Sequence, residues 1–312
     1  MEGRRHRVRI RGLRRAYALV QADSVPETAV VFVHGFLGNP LKTWQSFQTL
    51  ADAHNDVYPW WIGSDLYFFD YPDFNQPLDF SGRDLLAFIG RVFPNPEPSL
   101  FEADLSASAS LLQLNDPIVR VRENFPGYTR LILAGHSEGG VVIRKAMLEV
   151  ANRCVRVNEE NRTMAASAQA SSQPYSEIPV VPTPALDISN YPALQAQLCL
   201  FAPALMGASP SCILGILARK IDSLHYSRAY NDLEKGSPVL LNLQQHTEEY
   251  GRKYPILRGL RARVLWGRNE EILAIDNYLI DNVEPAELGK NHTAICKPRP
   301  GYLRPLQFVR YD

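Results

Sequence analysis

The chain has 312 residues, 46% of them hydrophobic and 21% charged, and its 33 basic and 33 acidic side chains cancel to a formal net charge of zero. That length buries a large core and fits one big α/β domain or two small ones. The balanced charge gives no field for nucleic acid, and no apolar run reaches the length of a membrane span.

Arginines crowd the N-terminus (Arg4, Arg5, Arg7, Arg9, Arg11, Arg14, Arg15), without the apolar centre of a secretory signal. Val8 and Ile10 alternate with arginines, and Tyr17, Leu19 and Gln21 keep the period of two. Two edge strands with basic outer faces are therefore predicted. A cytoplasmic protein is the default expectation. Cys154, Cys199, Cys212 and Cys296 are scattered without metal-ligand spacing and read as buried free thiols.

Residues 29–33 form a short, fully apolar strand of the buried parallel type. It runs into His34-Gly35-Phe36-Leu37-Gly38, a loop whose glycines let the backbone approach a bound molecule. By itself this would read as an ordinary βα loop. A helix is predicted over 44–53, a strand over 66–69 and a helix over 80–92, with Trp60 and Trp61 as core or pocket wall. A loop follows over 94–110, and Asn115-Asp116-Pro117 then opens a helix with Ile118, Val121 and Phe125 inward.

The apolar run Leu131-Ile132-Leu133-Ala134 enters Gly135-His136-Ser137-Glu138-Gly139-Gly140. An amphipathic stripe of Ile143, Met147, Val150 and Cys154 follows directly. A serine between glycines on a tight strand-to-helix turn is a nucleophile elbow: the turn lifts the hydroxyl above the sheet, and the helix N-terminus faces any negative charge formed there. A plain surface Gly-Ser turn would not explain a buried strand joined at once to an amphipathic helix.

Residues 157–191 are polar, rich in Ala and Ser and then in Pro, and read as a disordered or lid insertion. A strand begins near Leu198, Ser209-Pro210 caps a further helix, and the last clear strand, Arg263-Val264-Leu265-Trp266, exits through Gly267-Arg268-Asn269-Glu270-Glu271. Strands alternating with helices predict a mostly parallel sheet covered on both faces, with the active site beyond the carboxyl ends of its strands. A serine–histidine pair needs a carboxylate to fix the imidazole, and with an elbow the chain order is Ser, acid, His. Glu270, leaving a strand end, and His292, in the Gly289-Lys290-Asn291-His292 loop, fit that order. Glu271, Asp276, Asp281, Glu284 and Glu287 also precede His292, the later ones on a predicted helix, and remain alternatives.

Together Val31-Phe32-Val33-His34-Gly35-Phe36, Gly135-His136-Ser137-Glu138-Gly139-Gly140 and Asn291-His292-Thr293-Ala294-Ile295-Cys296-Lys297-Pro298 resemble the α/β-hydrolase superfamily. Within it they resemble lipase-like serine esterases, which include GPI inositol-deacylase-like proteins and related intracellular esterases. The resemblance implies a single α/β-hydrolase domain over 1–312 that cleaves an apolar or lipid-like ester through an acyl-serine. Ser137 is the expected nucleophile, His292 the base and Glu270 the acid, with the Phe36 and Glu138 amides as oxyanion hole. No metal or organic cofactor is implied, and the partner is an ester substrate. Peripheral membrane association and oligomeric state stay open, as do transfer to an alcohol and a catalytically silent binding role. Many relatives carry Met or Leu at the Glu138 position, so its carboxylate is expected to bear on substrate charge; they usually carry Asp where Glu270 stands.

Overall fold

The computed structural model describes residues 5–21, 25–53, 59–74, 76–101, 125–170, 185–208, 228–273 and 275–310. Its framework is an eight-stranded sheet in the order β1-β2-β4-β3-β5-β6-β7-β9. The strands are β1 (Arg5–Arg9), β2 (Tyr17–Gln21), β3 (Thr28–Val33), β4 (Ser64–Phe69), β5 (Arg130–His136), β6 (Gln197–Phe201), β7 (Ala262–Leu265) and β9 (Asn282–Val283). From β4 across to β9 every pairing is parallel, and β2 joins β4 antiparallel, as β1 joins β2. A separate two-stranded parallel ribbon pairs β8 (Gly267–Asn269) with β10 (Glu287–Asn291).

The apolar runs sit where a sheet covered on both faces needs them. All six residues of β3 and of β4 are buried. Helix α1 (Pro40–Ala53) drops Trp44 and Phe47 onto Phe32, with ring centroids 5.0 and 5.1 Å away, and Phe68 stacks on Phe32 at 4.9 Å. Trp61 is fully buried against the same cluster, so it is core. Helix α2 (Leu78–Val92) turns Leu78, Leu85, Phe88, Ile89 and Val92 inward. Helix α3 (Glu138–Ala170) begins at the elbow and packs against α2 and β5.

The chain leaves β3 for β4 on one side and comes back to β5 on the other. The strand order therefore reverses between β3 and β5, whose ends lie side by side with Val33 opposite Gly135. A crevice opens at such a switch point, beyond the carboxyl ends of the two strands.

Several expectations need correction. Of the two expected edge strands only β1 lies at an edge: β2 is flanked on both sides and all five of its residues are buried, because the arginine alternation stops at Tyr17. The polar stretch expected to be irregular from residue 157 continues as helix to Ala170. Its alanines favour the helix, and Arg153–Glu149 and Arg156–Glu160 pairs line its exposed side. Asn158 stitches the returning chain to that helix, with its side-chain amide and oxygen bonded to the Asp187 carbonyl and amide at 2.9 Å each. Residues 275–281 are coil and turn where a helix was expected. The helix expected from Asn115, the one expected from Ser209 and the Pro-rich part of the insertion at 171–184 lie outside the described residues. No helix among the described residues is long and apolar enough to cross a membrane.

One buried ion pair ties the helical layer to the sheet. Arg144, wholly buried on α3, binds the Asp281 carboxylate and the Leu260 carbonyl and lies 5.1 Å over the Tyr278 ring. The same Asp281 oxygen accepts the Ala262 amide at 2.9 Å, at the start of β7. Removing one partner strands a buried charge at a cost of about 3–5 kcal/mol. Asp281→Ala is therefore expected to lower the urea midpoint sharply, and Arg144→Met with Asp281→Leu to recover most of the loss. An unchanged midpoint for Asp281→Ala would show that the pair carries none of the stability.

Candidate active site

Strand β5 ends at His136 and α3 begins at Glu138, leaving one residue for the reversal. Ser137 takes it with φ at +55°, a left-handed conformation that side chains seldom adopt. Three backbone bonds hold it there: its amide donates to the Phe201 carbonyl at 3.1 Å, and its carbonyl accepts from Gly140 at 3.0 Å and Ala204 at 3.1 Å. The glycine at 139 is a matter of space. A Cβ there would run into the carbonyls of Val33 and His34, so only glycine lets α3 start this close to the end of β3. The loop after β3 is equally tight, since a Cβ on Gly35 would stand 2.7 Å from that of Ser137.

The Phe36 amide follows directly, and neither it nor the Glu138 amide has a hydrogen-bond partner among the described residues. Phe36 packs on Phe74, their centroids 6.2 Å apart, and Leu37 sits at the rim with φ +54°.

The small ribbon brings the acid and the imidazole together. In its register Asn269 of β8 stands opposite Asn291 of β10, so the next residues, Glu270 and His292, emerge side by side. His292 Nδ1 lies 3.0 Å from Glu270 Oε2, with the glutamate side chain fully buried. The other glutamate oxygen accepts the amides of Ile272 and Leu273 at 2.9 and 3.1 Å. Glu270 is thus fixed by two backbone N–H groups beside the His292 ring, and an acceptor oxygen facing Nδ1 favours the tautomer with the proton on Nδ1 and a lone pair on Nε2.

The remaining acids are engaged elsewhere. Asp276 bonds the next residue's amide at 2.8 Å, Asp281 holds Arg144, and Glu284 and Glu287 pair with Arg304. Glu271 is exposed beside the turn. Among the six acids weighed in the sequence, Glu270 is the one in contact with His292.

Ser137 and His292 line one pocket of about 290 Å³ with Gly35, Phe36, Leu233 and Leu273. A strained elbow serine at the switch point of this strand order decides the architecture. The fold is that of the α/β-hydrolases.

No family model and no curated protein matches the sequence. Solved structures match the course of the chain. Lipase BlEst2 of Bacillus licheniformis, in its mature form, is 14% identical over 94% of this chain and 98% of its own, with a TM-score of 0.47. MGS-MChE2, an α/β-hydrolase enzyme from a lagoon-sediment metagenome of Mar Chica, Morocco, is 12% identical over 96% and 95%, with a TM-score of 0.45. Carboxylesterase CesB of Bacillus subtilis is 11% identical over 99% and 92%, with a TM-score of 0.41. At these identities and TM-scores the likenesses carry no argument about this chain's activity or substrate.

His136, which the sequence offers only as part of the elbow turn, also belongs to the site. His136 Nε2 donates to the His292 carbonyl at 2.8 Å, and the two rings lie 4.8 Å apart. Burial first, then the charges of His292 and Lys297, push the His136 pKa down to about 3, so this imidazole is neutral and its N–H anchors the histidine loop. A histidine next to the elbow serine was the available sequence signal.

Glu138 needs a larger correction. Its carboxyl is fully buried and takes no part in the pocket lining, so it does not meet a substrate. It lies with Tyr71 and near Asp73 and Asp232, while the Tyr71 hydroxyl donates to the His34 carbonyl at 2.8 Å. Burial, then the neighbouring carboxylates, lift the Glu138 pKa well above the ordinary range, and burial raises Asp73 as well. Burial would also raise Asp70, but its bonds to His34 and Arg15 bring it down instead.

A raised carboxyl pKa means that the folded protein keeps a proton which the unfolded chain releases once pH passes about 4.3. This group's contribution to stability is whole below that pH and declines as pH rises toward the folded pKa. Glu138→Gln keeps the shape of the neutral acid without that decline. The variant is therefore expected to match the parent's thermal midpoint near pH 4 and to exceed it at pH 7. A variant less stable at pH 7 by as much as at pH 4 would mean that Glu138 is not held neutral.

Proposed function

We propose that the protein is a serine hydrolase that cleaves a carboxylic ester through an acyl-serine intermediate. The carrying observation is the 3.0 Å contact of His292 Nδ1 with Glu270, made beside a strained Ser137 in one pocket. In this reading His292 Nε2 takes the Ser137 proton as Oγ attacks the carbonyl carbon. The Phe36 and Glu138 amides receive the oxyanion, each worth about 3 kcal/mol to the transition state. Collapse breaks the bond to the alcohol oxygen, which leaves with the proton from His292. Water then attacks the acyl-serine by the same route in reverse, releasing the acid and restoring the serine. No step uses a metal or an organic cofactor. Phe36, Leu37, Leu233, Ile272 and Leu273 make an apolar lining that suits an acyl chain. The resemblance to GPI inositol-deacylase-like esterases belongs to this proposal and supplies no step of it.

Ser137→Ala is expected to abolish both labelling by a fluorophosphonate and turnover of p-nitrophenyl butyrate, with an unchanged circular dichroism spectrum. Labelling of the variant at another residue would overturn the assignment. Glu270→Gln keeps the side chain's shape, removes its charge and lets the imidazole take the wrong tautomer. It is expected to lower kcat by up to ~10⁴ with little change in KM. A Glu270→Gln enzyme of normal kcat beside a dead Glu271→Gln would keep the mechanism and move the acid.

A further inference from the structure

The charge around the pocket is one-sided. The whole chain carries 33 basic and 33 acidic side chains, yet among the described residues the pocket lining holds two lysines, two histidines and no carboxylate. Lys42 lies in the first turn of α1, just past the loop that carries the Phe36 amide, and that turn contains no acidic residue to offset it. The partial positive end of the helix adds to its charge there. Lys297 lies in the turn that follows His292, with its amide bonded to the Ala294 carbonyl at 3.2 Å. Both lysines are exposed at the mouth, and neither forms an ion pair among the described residues.

Exposed Glu234 and Glu271 adjoin the lining residues Leu233 and Ile272, but neither lines the pocket nor forms an ion pair with Lys42 or Lys297 among the described residues. Glu270 is occupied by His292 and two amides. Asp70 is paired with Arg15 at 3.0 Å, and Glu138, Asp70 and Asp73 are all absent from the pocket lining. The charge of Lys297 is felt inside the site, at His136.

An apolar pocket that opens between cations on two different elements matches a molecule with an apolar acyl group and a negative group just outside it. We propose that the ester cleaved here carries an anionic group, phosphate or carboxylate, at the pocket mouth within reach of Lys42 and Lys297. The inference rests on the serine-hydrolase reading and names the substrate class for it. The anion could be presented by a free phosphorylated ester or by the headgroup of a lipid, and the chemistry of recognition is the same.

The test compares kcat/KM of the full chain on 1-butyrylglycerol and on 1-butyrylglycerol 3-phosphate, which share the scissile bond. A second pair, phenyl butyrate and 4-(butyryloxy)benzoate, replaces phosphate by carboxylate. The expected result is a preference of about tenfold for an anionic member at low salt, about 1.4 kcal/mol, shrinking at high salt as the lysines are screened. Lys42→Met with Lys297→Met should bring the anionic-to-neutral ratio near one, and Lys→Arg at both positions should keep it. Because the readout is a ratio, a general loss of activity in a variant cancels. A longer-chain lysophosphatidate, assayed as monomers and in phosphatidylcholine vesicles, separates the two sources: preference in both forms indicates a free ester, and preference in vesicles alone a headgroup.

Equal rates on neutral and anionic esters, or a preference unmoved by the double Met variant, would overturn the inference and leave the hydrolase reading intact. Absence of both fluorophosphonate labelling and turnover would overturn the two together.

Discussion

Everything in the site depends on how close the start of α3 comes to the end of β3. Ser137 bears a left-handed backbone that costs about 1–3 kcal/mol. It persists because its own amide and carbonyl are held from β6 and from the residues just after it. A methyl group on Gly139 would push α3 off the carbonyls of Val33 and His34. The elbow would relax, and the turn that carries Ser137 and Glu138 would move away from the loop after β3. The strain is thus confined by packing that has two strands and a helix behind it.

The second constraint is held by polar contacts. Glu270 and His292 arrive on the two strands of a short ribbon, and a parallel register is what places the residues after Asn269 and Asn291 beside each other. The serine side answers through His136, whose N–H holds the His292 carbonyl. Adjacent residues of one turn therefore do different work: 136 fixes the loop that carries the imidazole, and 137 presents the hydroxyl to the same pocket.

Much of the scaffold was legible in the sequence, for physical reasons. Strands buried on both faces need uninterrupted apolar runs, and β3, β4, β5 and β6 announce themselves that way. The elbow needs glycine where only glycine fits, so Gly139 marks it. What was not legible depended on partners distant in sequence. The alternation at Tyr17 is the same in an edge strand and in β2, and only β4 alongside tells them apart. The stretch after residue 157 has a composition shared by loops and solvated helices, and here it continues α3. The ribbon of β8 and β10 has no apolar periodicity, since its strands are mostly exposed, so the contact of Glu270 with His292 could be ranked among six acids but not seen.

Glu138 is the instructive misreading, because from sequence a carboxylate beside the serine looks like part of the substrate site. The two glutamates near Ser137 have opposite surroundings. Glu270 meets N–H groups on both oxygens, a cradle for negative charge. Glu138 is buried with other carboxyls for neighbours, and both burial and those neighbours push its pKa well above the ordinary range. In the proposed mechanism an ionised Glu138 would oppose the oxyanion that its own amide receives, in a poorly screened interior. Burial removes that opposition without removing the residue. With Glu138 buried, the charged side chains that line the pocket among the described residues are the lysines Lys42 and Lys297 and no carboxylate.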